Sequence, residues 1–258
     1  MDHTAYMETL QLAGRIIMEN GGETYRAEET ICRMGQGFGL NEVESFAVPS
    51  GIFISYRNQE NELVTSVKRV RREGRNLTRV DETNRVSRMV AAGQMDCGEA
   101  FAELQKIEVM PGPFGNPWRL GAAFLCAAGF AALFGGGWGD MAVAGAAAAM
   151  VQGFILIIEK AHMKWLASAI VGGFLTMLIP SLIRMLIPEL RADVVIAGAI
   201  MPLVPGLAMT NAVQDAMRGD MVSGLSHGAQ ALLTACLIAG GGLLASGLLG
   251  LLTGGGPV

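Results

Sequence analysis

The sequence predicts a membrane protein: a small α+β cytoplasmic domain followed by a bundle of five transmembrane helices. Three observations carry that expectation. The charges crowd into the first half, the second half is divided into apolar stretches of bilayer length, and the first half switches between helical and strand periodicity. Of the 19 Lys/Arg and 23 Asp/Glu, 14 and 17 respectively fall within the first 119 of 258 residues. The rest of the chain reads as spans near 118–138, 141–158, 165–187, 194–213 and 224–252. About 20 predominantly apolar residues suffice to cross a hydrocarbon core. One soluble core cannot plausibly absorb five such segments. The expected boundaries are a cytoplasmic domain over 1–110, a stiff linker over 111–117 carrying Pro111, Pro113 and Pro117, and a transmembrane module over 118–258.

Within the first domain, Tyr6, Leu10, Ala13 and Ile17 recur at helical spacing, and Gly21-Gly22 stops that helix. A second helix is expected over Thr24–Gly37, with Glu28 and Glu29 early, where the helix dipole favours anions. Alternating runs at 44–48 and 52–56 read as strands joined at Pro49-Ser50-Gly51, and 62–70 as a third. Asp81 is read as the cap of a following helix. Asp96 with Glu99 has the form of a capping box opening another, through Ile107.

In the apolar half the pairs Gly135/Gly139, Gly224/Gly228 and Gly250/Gly254 have the spacing that lets helix backbones approach closely. The acidic, polar start lacks the basic region of a signal peptide, so the first domain is expected in the cytoplasm. Lys160, Lys164 and Arg218 fit cytoplasmic connections, whereas Arg184 and Arg191 fall on the opposite side. The expected location is a bacterial cytoplasmic (inner) membrane, amino terminus in and carboxyl terminus out. Four scattered cysteines and three distant histidines give no metal-ligand spacing. A net charge of −4 argues against nucleic-acid binding. No Walker A lysine or G-x-S-x-G occurs, so neither a cofactor nor direct ATP drive is expected.

The most informative stretch follows Pro202 and Pro205. Each proline removes a backbone donor, so the helix must bend or stop there. Freed carbonyls at membrane depth survive only against protein or a hydrated cavity. Gly206, Thr210, Asn211, Asp215, Arg218 and Asp220 follow directly and are the expected substrate and ion pathway. Asn211 and Asp215 share a helix face; Asp215 and Arg218 are spaced to pair. The plainer reading makes this an ordinary connection with a surface ion pair worth ~0–1 kcal/mol. Elsewhere, Asp140 reads as a cap, Gln152 as interhelical glue, and the basic run Lys68-Arg69-Val70-Arg71-Arg72 as a solvated strand end.

Three pieces of the chain resemble the threonine/serine exporter family. They are Gly21–Thr30, containing Glu23, Arg26 and Glu28; the turn carrying Pro49 and Gly51; and Pro205-Gly206 through Thr210-Asn211, Asp215, Gly219-Asp220 and Ser223-Gly224. Where the family often places Arg before the aspartate, this chain has Gln214. Long members continue into a second membrane module, whereas this sequence ends after its fifth expected span. That resembles the larger subunit of a split, two-component exporter associated with succinate. The resemblance implies a small membrane partner of four or five spans, and a small carboxylate or amino-acid substrate. A threonine/serine exporter acting by self-association is the alternative. So is a membrane-tethered regulatory or enzymatic domain, or a structural subunit.

Overall fold

The computed structural model describes residues 3–58, 60–71, 74–160 and 165–252. Lys164, Arg72 and Gly254, all weighed above, and His162, one of the three histidines, lie outside that set. The chain forms two compact units: Met1–Pro113 with Leu207–Gly228, and Phe114–Gly206 with Ala229–Val258.

The first unit opens with α1 (His3–Glu19) and α2 (Thr24–Gly37). Gly21, at φ +86°, makes the break between them in the left-handed region that side chains avoid. A three-stranded antiparallel sheet follows, in the order β1 (Asn41–Val48), β2 (Gly51–Arg57), β3 (Leu63–Arg69). Pairing of Val48 with Gly51 leaves Pro49-Ser50 as a two-residue turn, as the sequence predicts. Then come α3 (Leu77–Ala91) and α4 (Cys97–Val109).

Asp96 and Glu99 form the expected capping box, with bonds of 2.8 and 3.0 Å. Asp81 is not a cap. Asn76 caps α3 by accepting from the Arg79 backbone N, because Gly74-Arg75 already ends the preceding run and the helix starts five residues sooner. Leu10, Ile31, Met34, Ile52, Ile54, Tyr56, Val86 and Leu104 are fully buried against one another. Each such side chain contributes about 1.5–3 kcal/mol. The unit is completed by α9 (Gly206–Met217) and the start of α10 (Met221–Leu252).

The second unit holds α5 (Asn116–Leu133), α6 (Trp138–Lys160), α7 (Trp165–Leu186), α8 (Ala192–Ile200), a 3-10 turn at Met201–Leu203 and the rest of α10. Its core is small: Ala127, Ala131, Ala144, Ala148, Val194 and Val195. Close backbone approach is made by glycines other than the first expected pair. A Cβ on Gly173 would collide with the Ile238 carbonyl, and one on Gly241 with that of Ile170. Gly135 instead turns the chain after α5 at φ +81°, so Gly135/Gly139 is not a packing pair. Asp140 caps as expected, accepting from Gly137 N, and also takes Arg191 N, both at 2.9 Å.

Among the described residues three helices are long and apolar enough to cross a membrane: Trp138–Ile158, Leu166–Leu186 and Met221–Leu252. A fourth span results if the broken pair Ala192–Leu203 and Gly206–Met217 counts as one. α5 falls short of the same measure, with Asn116 and Arg119 in its first turn. Only 33, 28 and 22% of the residues in the three most apolar windows are buried. That exposure suits an apolar solvent far better than water.

Candidate functional site

Helix α9 is inverted relative to a helix facing water. Its buried residues are Asn211 and Asp215. Leu207, Met209, Val213 and Met217 are exposed. Burying an amide and a carboxylate while leaving leucine and methionine outside costs free energy unless the polar groups are satisfied. Asp215 is, on both oxygens. The Thr24 hydroxyl, itself fully buried, donates to Oδ1 at 2.7 Å, and His227 Nδ1 stands 3.0 Å from Oδ2. The Asp215 side chain is 0% exposed and that of His227 13%.

Local chain geometry explains why these groups meet. Thr24 is the first residue of α2, placed by the Gly21-Gly22 break. Gly219, at φ +89°, reverses the chain after α9. α10 then runs back beside α9, and Gly224 fits where a Cβ would stand 3.0 Å from the Ala212 carbonyl. Gly228 also faces Ala212, so this glycine pair packs as the sequence predicts. The reversal returns His227 to the buried face that carries Asp215.

More acids gather around the same contact. Asp220 Oδ2 lies 3.4 Å from the Thr24 hydroxyl, while its Oδ1 accepts from Ser223 N at 3.2 Å. Ser223 Oγ donates to the Ala47 carbonyl at 3.4 Å, and Ala47 N donates to Glu28 Oε1 at 2.7 Å. Burial pushes the Glu28 carboxyl above its ordinary range; the Ala47 N–H opposes this, and the fields of Asp220 and Asp215 add to it. Gln214 Oε1 is buried without a donor. Acceptors exceed donors here, so the cluster suits a proton or an ammonium group.

The sequence-derived residues divide between the units. Asp215 and Asp220 come together with Thr24 and Glu28, Asn211 is buried on the same helix as Asp215, and Thr210 is exposed on α9. Pro202 lies in the 3-10 turn, Pro205 is buried after it and Gly206 begins α9; all three belong to the second unit. Pro49 and Gly51 shape the hairpin beside Ala47. The Asp215–Arg218 pair does not form. Arg218 lies over the Tyr25 ring, 3.5 Å from its centroid, because the Gly219 turn carries it off the buried face. Glu23 occupies the N-cap position but makes no cap; its carboxylate binds Arg26 at 2.7 Å.

Sequence reasoning missed Ser223 and His227 as site members, and Thr24 as the donor. His227 stands twelve residues beyond Asp215, which no single-helix spacing would flag. The available signal was a glycine turn leading from α9 into the start of α10, whose first two turns carry Ser223 and His227.

The sequence model of a family described as putative threonine/serine exporter matches residues 8–249. Among curated proteins, the chain is 26% identical over 223 residues to a probable succinate transporter subunit of Klebsiella aerogenes, covering 84% of this chain and 83% of that protein. It is 24% identical over 252 residues to the threonine/serine exporter of Corynebacterium glutamicum, covering 94% of this chain but 52% of that protein. A probable succinate transporter subunit of Escherichia coli K12 is 22% identical over 223 residues, with 85% of each chain covered. No solved structure matches significantly.

Proposed function

This chain belongs to the threonine/serine exporter family, and from that premise we propose a subunit of a secondary exporter for small organic acids or amino acids, with Asp215 as the proton-carrying group. The membership makes it a transporter in a membrane and not an enzyme. The observation that carries the reading is the fully buried Asp215 carboxylate, held between the Thr24 hydroxyl and the His227 ring on a helix whose apolar side faces outward.

An ionised Asp215 is acceptor-only, matched by two neighbours able to donate. Protonation would make it a donor and weaken both bonds at once. That is a local two-state element whose populations a proton gradient can bias. The rest of the reading keeps five spans, the amino-terminal domain in the cytoplasm and the cytoplasmic membrane as the location. Asn211, Asp215 and Asp220 line the path.

Two substrate classes have separate support. A dicarboxylate such as succinate, handled with a small membrane partner, is favoured by the likeness to a succinate transporter subunit along 83% of that protein's length. An amino acid is favoured by the excess of acceptors, which would meet an ammonium group better than a second carboxylate. Vesicles containing this chain, with and without a small membrane partner, separate them. Efflux of labelled succinate or threonine under a proton gradient is expected, and it should fall roughly 10²-fold in Asp215→Asn. Unimpaired efflux in that variant would defeat the assignment of the proton.

A further inference from the structure

A second polar cleft lies in the first unit, built from elements other than those around Asp215. It has a volume of about 350 Å³ and is formed where α1, α4 and the edge strand β3 meet. Glu8, Gln11 and Arg15 project into it from one face of α1, Gln105 and Glu108 from α4, and Lys68 from β3. The i, i+3 and i+7 spacing on α1 is what aligns its three side chains.

The polar groups here are only partly satisfied. Arg15 Nη2 binds Glu108 Oε1 at 2.5 Å, yet Arg15 Nε is buried with no acceptor. Gln11 Nε2 donates to Ser66 Oγ at 2.6 Å, which fixes the amide against β3. Among the described residues, the side chains of Lys68 and Glu8 have neither a hydrogen bond nor an ion pair. A buried donor left unpaired destabilises the site, and an acceptor supplied by a ligand would relieve that.

We propose that this cleft binds a small zwitterionic amino acid, its carboxylate on Arg15 Nε and Lys68 and its ammonium on Glu8. The charges lining the cleft balance, two cations against two carboxylates, so a ligand carrying one charge of each sign is the complement. A dicarboxylate or a nucleotide would satisfy the cations but face Glu8 and Glu108 unpaired. The volume sits at the low end for ligand pockets and suits a small metabolite. Such a site in the first unit would let the free amino acid act as an effector as well as, or instead of, cargo.

The test is calorimetric titration of the full chain in nanodiscs, using a panel of L-amino acids, succinate and ATP. At least one polar amino acid should saturate with Kd at or below about 1 mM, within the usual metabolite range. Glu8→Gln and Lys68→Met should each weaken it on the order of tenfold or more. Asp215→Asn should leave it unchanged, which keeps this inference separable from the proton assignment. It is overturned if no amino acid saturates, or if succinate or ATP binds tighter than every amino acid. Binding lost in Asp215→Asn yet intact in both cleft variants would overturn it equally.

Discussion

Thr24 supplies a single hydroxyl hydrogen to a carboxylate 191 positions away in sequence, and that bond joins the family-like motif of α2 to that of α9. Replacing Thr24 with Val keeps the shape and removes the donor, leaving a buried carboxylate oxygen short of a partner. The expected cost is about 1–3 kcal/mol, read as a lower thermal midpoint in detergent. Glu28 gives a pH prediction. Its carboxyl binds a proton more tightly folded than unfolded, since burial raises it first and Asp220 and Asp215 add to that. Stability from this group therefore grows as pH falls through the raised folded value towards the ordinary carboxylate value, and is absent at higher pH. Glu28→Gln retains an acceptor for Ala47 N, so it should hold the thermal midpoint at neutral pH while flattening the rise on acidification. At this scale the sequence showed the right residue types, and periodicity placed Asn211 and Asp215 on one face. It could not show what fills the space opposite that face, because Thr24 and His227 reach it only through tertiary folding.

The elements were more legible where the chain carries its own punctuation. Gly21-Gly22, Pro49-Ser50 and the Asp96/Glu99 box mark boundaries by backbone preference, and α2, the β1–β2 turn and α4 begin where those residues say. Asn76 was passed over because Asp81 also precedes apolar residues at helical spacing; the cap is decided by which residue adopts non-helical geometry, and Asn76 does. Asn76→Ala should therefore cost about 1 kcal/mol, with Asp81→Ala near neutral, as measured by denaturant midpoint. The glycine-rich character of the second half was readable, but not which glycines pack, since that depends on helix rotation. Gly224 tests the α9–α10 pairing directly. A Leu there would drive its Cβ against the Ala212 carbonyl and the Ala216 backbone N, both 3.0 Å away. The helices must then separate, which moves His227 off Asp215. Transport should be lost while the second unit, whose closest contacts run through Gly173 and Gly241, keeps its helical signal.

For the molecule as a whole, the decisive quantity is how little of its apolar surface the protein covers by itself. Leu125, Leu186, Leu232, Leu243 and Leu251 are each more than 60% exposed, on helices with too few charges to be solvated by water. At roughly 25 cal/mol for each Å² of apolar surface, several such side chains outweigh the stability of a whole domain. Lipid or a partner subunit must cover them. The chain should thus remain in the pellet after alkaline carbonate washing, and extraction should require detergent. The proposed orientation puts the charge-rich first unit in the cytoplasm. Glu99 is exposed in the charge-rich first unit, at the start of α4, so a cysteine placed there reports that unit's side of the membrane. In a background with Cys32, Cys97, Cys126 and Cys236 replaced by serine, Glu99→Cys should react with a membrane-impermeant maleimide only after the cells are opened. Labelling in intact cells would put the first unit outside. The Asp215 contact would then draw its protons from the opposite compartment, and export would have to be rewritten as uptake.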